Sequence, residues 1–163
     1  MTDPVSLKFR LNGKPVATFV APRTSLADYL REDQGLTATR LGCEMGTCGA
    51  CLIMMDGAPA HACLVLAAQA DGADITTLEG LNDAGVLQDL QAAFVDRNAA
   101  QCGFCTSGML VSALGYIRAG GSPDRAEIRD ALSGNYCRCT GYEAIVDAIA
   151  SVAKTTAHRQ AAE

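Results

Sequence analysis

Ten residues, Gly42-Cys43-Glu44-Met45-Gly46-Thr47-Cys48-Gly49-Ala50-Cys51, set three thiols among four small or flexible positions, and a fourth thiol, Cys63, follows after eleven residues. Glycine weakens regular structure and adopts φ values that residues with a Cβ resist. The stretch is therefore a loop that can turn its amides inward toward a negatively charged group. Its C-x4-C-x2-C spacing, completed by Cys63, is one with which a loop wraps a [2Fe-2S] cluster. Any fold for this chain must bring Cys43, Cys48, Cys51 and Cys63 around one point.

The other four cysteines, Cys102 and Cys105 as C-x2-C and Cys137 and Cys139 as C-x-C, lie too far along the chain to complete the first group. Two clusters on one small protein is the reading that uses all eight thiols. Disulfides are the alternative, but pairs this close in sequence make strained bridges and common metal clips. Four thiolates also make a structural zinc site, so the spacing of the second group leaves zinc open. A neighbouring redox cluster favours iron and sulfur, because a second cluster extends an electron path whereas zinc is inert.

A chain of 163 residues, 49% hydrophobic and without Trp, has room for one ordinary domain or two small ones with cores of small and aliphatic side chains. The formal charge of -5, made more negative by about two charges per oxidised cluster, gives no attraction for nucleic acid or an anionic membrane. The amino terminus alternates Val5, Leu7, Phe9 and Leu11 with polar residues and lacks the charged and apolar regions of a signal peptide. No apolar run approaches the roughly 18 to 20 residues of a membrane span. The expectation is a cytoplasmic protein.

In chain order, Val5 to Leu11 and Lys14 to Val20 flank Asn12-Gly13, a strong hairpin signal because both turn residues tolerate positive φ. Thr24 or Ser25 caps a helix carrying Leu26, Tyr29 and Leu30, which ends before Gly35 and packs on the hairpin. After the cysteine loop, Leu52 to Met55 forms a short buried strand, Asp56-Gly57 turns the chain, and Ala58 to Leu66 returns past Cys63. Met54 and Met55 read as core, since thioethers suit copper and haem rather than a thiolate site. His61 reads as a surface strand position rather than a ligand, four cysteines being already supplied. Ile75 to Thr77 is a last strand and Leu78 to Gly85 a connector.

Helical spacing then takes over. Val86 to Arg97, Ser107 to Ile117, Ile128 to Leu132 and Tyr142 to Val152 each carry an apolar stripe, which predicts four helices. Ser122-Pro123-Asp124 reads as an N-cap, a first helical residue and a first-turn acid, and Gly134 as the stop. The polar tail from Lys154 to Glu163 is expected to fray. Cys102 and Cys105 precede the second helix, and Cys137 and Cys139 lie between the third and fourth. An antiparallel arrangement can bring those joints to one end.

Three segments, GCEMGTCGAC ending at Cys51, QCGFCTSGM from Gln101 and GNYCRCTGY from Gly134, resemble the small iron-sulfur subunit of the xanthine oxidase family of molybdenum hydroxylases. All eight cysteines match, over nearly the whole chain. The resemblance implies an α+β protein: a β-grasp, plant-ferredoxin-like domain over residues 1–79 and a four-helix [2Fe-2S]-binding domain over 80–163. It implies a hetero-oligomer with a large subunit carrying molybdopterin, often as the cytosine dinucleotide in bacteria, and usually a medium subunit carrying FAD. Electrons would pass from molybdenum to the cluster of Cys102, Cys105, Cys137 and Cys139, then to that of Cys43, Cys48, Cys51 and Cys63, then to FAD. Gln101 and Cys139 would lie against the pterin. Arg138, between two ligands, would place a positive charge near the reduced cluster. The family commonly has proline where this chain has Ser107, which bears on rigidity at the helix start.

No substrate site is visible. The chain lacks a G-x-G-x-x-G after a strand, paired carboxylates in a plausible pocket and a Ser/His/Asp arrangement. Its own chemistry is one-electron transfer, as a subunit of an oxidoreductase or, alternatively, as a free-standing two-cluster carrier.

Overall fold

The computed structural model describes residues 3–160. Five strands, β1 (Val5–Leu11), β2 (Lys14–Val20), β3 (Leu52–Met55), β4 (Ala58–His61) and β5 (Asp74–Thr76), form one sheet in the order β2-β1-β5-β3-β4. Among the described residues only the β1–β5 pairing is parallel. This is β-grasp topology, in which a late strand enters between the two hairpins. Both predicted hairpin turns form, with positive φ at Asn12 and Gly13 and again at Asp56 and Gly57. In β1, Leu7, Phe9 and Leu11 point to the core while their neighbours face solvent, the period-two pattern of a half-covered strand.

Helix α1 (Leu26–Asp28) runs straight into one π-helical turn, Tyr29–Asp33. Ser25 caps it, its Oγ accepting from the Asp28 amide at 3.0 Å. The buried face, Leu26, Ala27, Tyr29 and Leu30, closes the first core against β1 and β5, where the Tyr29 ring meets Phe9 edge-on at 5.8 Å between centroids. Arg31 reaches from this turn to donate to the carbonyls of Thr37 and Thr39, at 3.2 and 3.0 Å, and so fixes the chain leading into the cysteine loop.

The helical half contains α2 (Leu78–Asp83), α3 (Gln88–Asp96), α4 (Thr106–Arg118), α5 (Arg125–Ala131) and α6 (Glu143–Gln160). The four predicted helices are α3 to α6. Their apolar stripes meet in a second core built around Leu87, Met109, Val111, Ile128, Ile145 and Ile149. Strand β3 is a wall shared by both cores: Ile53 faces the first, Leu52 and Met54 the second. Burial on both faces explains why β3 is uniformly apolar rather than alternating. Helix α4 covers β3 and β4, and its glycines allow the approach, Gly115 lying against Pro59 and Gly108 against the Gly49 carbonyl.

Several expectations need correction. Leu78–Gly85 is not a plain connector; it opens with α2, whose Leu81 is buried in the second core. The returning strand ends at His61, and the chain then turns through Cys63. Asp124, not Ser122, is the N-cap of α5, its carboxylate accepting from the amides of Ala126 and Glu127. Ser122 instead accepts from the Asp124 amide. Helix α4 begins at Thr106 with Ser107 already in its first turn. The tail does not fray at Lys154: α6 continues to Gln160, with the hydroxyls of Thr155 and Thr156 donating to the carbonyls of Ser151 and Val152. Residues 161–163 of that expectation lie outside the described residues.

Candidate metal centres

The first thiol set sits on the loop between the π-helical turn and β3, with Cys63 supplied from the turn after β4. Glu44, Gly46 and Gly49 take positive φ, which lets successive amides point inward. The amides of Met45 and Thr47 donate to Cys43 Sγ at 3.5 and 3.4 Å. Donors from the Thr47 side chain, from the Met45 amide and from Cys48 draw the Cys43 thiol down to about 6. Cys51 is buried at the start of β3, and burial with the adjacent Cys63 pushes its thiol up to about 12. The four thiols therefore stand as two neighbouring pairs, Cys43 with Cys48 and Cys51 with Cys63. A Cβ at Gly42 would come within 3.1 Å of Cys48 Sγ, so the loop closes tightly over the sulfurs.

The second set lies where α4 begins and where α5 hands over to α6. Cys102 and Cys139 bring their Sγ atoms to 3.6 Å. Two thiolates on one tetrahedral metal with bonds of about 2.3 Å stand about 3.8 Å apart, so this pair has the spacing of shared ligands. Cys105 and Cys137 form the other pair, and burial followed by the neighbouring Cys137 pushes the Cys105 thiol up to about 12. At Cys137 burial acts upward, but the Thr140 hydroxyl at 3.1 Å and amide at 3.4 Å outweigh it and lower the thiol. Tyr142, at positive φ, turns its hydroxyl back to accept from the Cys137 amide at 2.9 Å and to donate to the Asn135 carbonyl at 3.1 Å.

The donor chemistry fits two iron-sulfur groups. All eight cysteines are free, soft thiolates suit iron and sulfide, and amide and hydroxyl donors point at sulfur, as they do where a negatively charged cluster is held. Among the described residues no three His, Cys, Asp or Glu side chains converge as they would on a single metal ion. The thiols are arranged in pairs instead, as a two-iron group needs.

Sequence reasoning placed the cysteines but not their supports. Thr140, Asn135 and Tyr142 were not singled out as functional, although the threonine beside Cys139 is a donor within reach of a thiol group. His61 is half-buried rather than a plain surface position, with Nδ1 4.0 Å from Cys51 Sγ. Met54 is core as expected, and Met55 packs at the edge of the first core. Gln101 and Arg138 are exposed beside the second set. The Ser107 hydroxyl is buried and has no hydrogen-bond partner, so it does not cap α4.

Two family models match this chain: a 2Fe-2S iron-sulfur cluster binding domain over residues 9–80 and a [2Fe-2S] binding domain over residues 77–150. The chain is thus an iron-sulfur protein of the two-domain [2Fe-2S] class. It is 52% identical over 148 residues, 91% of this chain and 89% of the relative, to the nicotine 6-hydroxylase small subunit of Paenarthrobacter nicotinovorans. The crystal structure of quinoline 2-oxidoreductase from Pseudomonas putida 86 contains a chain that superposes with a TM-score of 0.89 at 48% identity, covering 96% of this chain and 98% of that one. Aldehyde oxidoreductase from Desulfovibrio gigas superposes with a TM-score of 0.86 at 40% identity, over 95% of this chain but 17% of that polypeptide. The chain belongs to the small iron-sulfur subunits of the xanthine oxidase family of molybdenum hydroxylases. It is an electron-transfer component of an oxidoreductase, and the match over residues 77–150 favours iron-sulfur over zinc at the second set. No helix among the described residues is long and apolar enough to cross a membrane.

Proposed function

We propose that Cys43, Cys48, Cys51 and Cys63 ligate one [2Fe-2S] cluster and Cys102, Cys105, Cys137 and Cys139 a second, in a cytoplasmic complex with a large molybdopterin subunit and a medium FAD subunit. The observation that carries this reading is the gathering of Cys102 and Cys139 to 3.6 Å across 37 residues, with Cys105 and Cys137 paired beside them. The two cores support a division into units of residues 1–79 and 80–163, although Leu52, Met54 and Leu78 pack into the second core.

When bound, each cluster supplies a one-electron couple. The chain's residues set the conditions of that couple. Inward amides on Cys43 and the Thr140 hydroxyl on Cys137 favour the more negative, reduced state. Gln101 and Cys139, exposed at the second set, are the groups that would meet a pterin carried as the cytosine dinucleotide on the large subunit.

Permanent partners are supported by the surface. Met45 and Leu64 beside the first set are 68% and 58% exposed, and Phe104 and Tyr136 beside the second are 46% and 59% exposed. A free-standing carrier has no use for large apolar side chains at both ends of its relay. The aldehyde oxidoreductase, in which the matching unit is 17% of one polypeptide, shows the unit joined covalently to further protein. The eight free cysteines suit a reducing compartment.

Purification of the untagged chain through tags on its genetic neighbours tests the partner reading; recovery as a monomer without a molybdenum-bearing partner would overturn it. Gln101→Ala should alter the molybdenum electron paramagnetic resonance (EPR) signal while both cluster signals persist, and an unaltered molybdenum signal would remove Gln101 from that role.

A further inference from the structure

One peptide group on the approach to the first thiol set is held at both ends by opposite charges. The Thr37 carbonyl accepts from Arg31 Nη1 at 3.2 Å, and the Ala38 amide, the other end of the same peptide unit, donates to Glu79 Oε1 at 2.9 Å. The same Arg31 nitrogen also reaches the Thr39 carbonyl at 3.0 Å. Arg31 comes from the π-helical turn of the sheet half, whereas Glu79 comes from the first turn of α2, 41 residues beyond Ala38. The entry to the cysteine loop is therefore gripped from both halves of the molecule.

Charge strengthens each contact. A hydrogen bond to an ionised partner is stronger than a neutral one, and a peptide polarised from both ends binds each end more firmly. Little water competes on the inner side, where Thr39 is 2% exposed and both the Thr39 hydroxyl and Glu79 Oε2 are buried. Just downstream, the Arg40 amide donates to the Ala50 carbonyl at 3.2 Å and closes the base of the ligand loop. The placement of Thr37 to Thr39 is thereby carried on to Cys43. There the amides of Met45 and Thr47 approach Sγ at 3.5 and 3.4 Å, long contacts that weaken quickly when the loop shifts.

We infer that Arg31 and Glu79 clamp the Thr37-Ala38 peptide and so set the seat of the first cluster. Glu79, a residue of the helical half, is then a positioning residue for the reduction potential of a cluster held in the other half. This rests on the assignment of Cys43, Cys48, Cys51 and Cys63 to one cluster proposed above. Glu79 acts through the backbone of residues 38–43 rather than on sulfur. The amides on Cys43 favour the reduced state. With the clamp open they lose register, and the first cluster becomes harder to reduce while the second, on its own joints, does not change.

The test uses the intact complex, in which EPR follows the midpoint potential and line shape of each cluster separately. It also uses the metal-free full chain, in which amide hydrogen exchange is read on the peptide spanning 37–43. Three variants are compared: Glu79→Ala, which deletes the acceptor; Glu79→Gln, which keeps an oxygen in its place; and Arg31→Met, which releases the carbonyl end from within the other half. Glu79→Ala and Arg31→Met should lower the first midpoint, spread that cluster's g values and speed exchange at 37–43 several-fold in the metal-free chain. Glu79→Gln should keep the parent line shape. Iron, sulfide and the second midpoint should be unchanged in all three. A parent first midpoint in Glu79→Ala would overturn the inference, as would a Glu79→Gln protein that matched Glu79→Ala, or equal shifts in both clusters. If Glu79→Ala does not assemble, a parent first midpoint in Arg31→Met overturns the clamp. A parent complex lacking one cluster's iron and sulfide, with exchange at 37–43 still governed by Glu79, would instead overturn the ligand assignment, a separately recognisable failure.

Discussion

The sulfur atoms of Cys102 and Cys139 stand 3.6 Å apart, both exposed, at the meeting point of two segments 37 residues distant in sequence. The packing of α4 and α6 helps to bring them together, so the pair reports on the helical packing.

In the metal-free chain this pair, exposed and already close, should oxidise readily. A thiol-specific oxidant is expected to form a Cys102–Cys139 disulfide, detected by peptide mass mapping, which blocks reconstitution of the second cluster until a reductant is added. The first set should still load. Absence of the Cys102–Cys139 pairing under mild oxidation would contradict this.

Alkylation of the metal-free chain should follow the thiol environments. Cys43 is drawn down to about 6, so its thiolate fraction, and with it the rate of iodoacetamide labelling, should rise as pH climbs through about 6 and then level off. Cys51 and Cys105, both pushed up to about 12, should stay unlabelled at neutral pH. Site-resolved mass spectrometry across a pH series reads both outcomes.

Removing the hydroxyl donor to Cys137 should lower the potential of the second cluster. Thr140→Val keeps the shape but deletes the 3.1 Å contact, and the reduced state loses more than the oxidised one. A drop on the order of 50 mV is expected, close to the 59 mV that a tenfold change represents for one electron. A redox titration monitored by EPR checks this, and the first cluster's midpoint should not move.

Gly49→Ala should be among the most damaging single changes in the loop. The substitution meets a left-handed φ and a contact at 2.5 Å on two sides, and the combined cost is about 2–4 kcal/mol. Thermal unfolding should shift downward and the first cluster should be lost on gel filtration. Gly13→Ala, also at positive φ but with open space around it, should cost only the backbone part.

What the sequence revealed and what it hid divide along physical lines. The Asn12-Gly13 and Asp56-Gly57 turns are legible because positive φ selects those residue types locally. Helices α3 to α6 are legible because the apolar stripe repeats with the helical period. Helix α2 is not: Gly80, Asn82 and Asp83 read as loop, and the segment is helical because Leu81 fills the second core and Gly80 makes room for Asn12. The eight thiols are visible from spacing and family resemblance, whereas the side chains that hold the backbone around them are not. Asn135 and Tyr142 act through a left-handed turn and a contact across the chain, which have no local pattern.

Asn12, at the tip of the first hairpin, accepts from the Thr77 amide at 2.9 Å and donates to its hydroxyl at 3.1 Å, while its side chain lies in the space that a Cβ on Gly80 would claim. The passage from sheet to helices is therefore splinted rather than hinged. Tunnelling between redox centres is steeply sensitive to separation, and Asn12, which belongs to neither thiol set, ties the first hairpin to the start of the helical half. Lengthening the chain at 77–80 would break this splint, and slower exchange between the two sets with each set's iron and sulfide retained is the expected outcome.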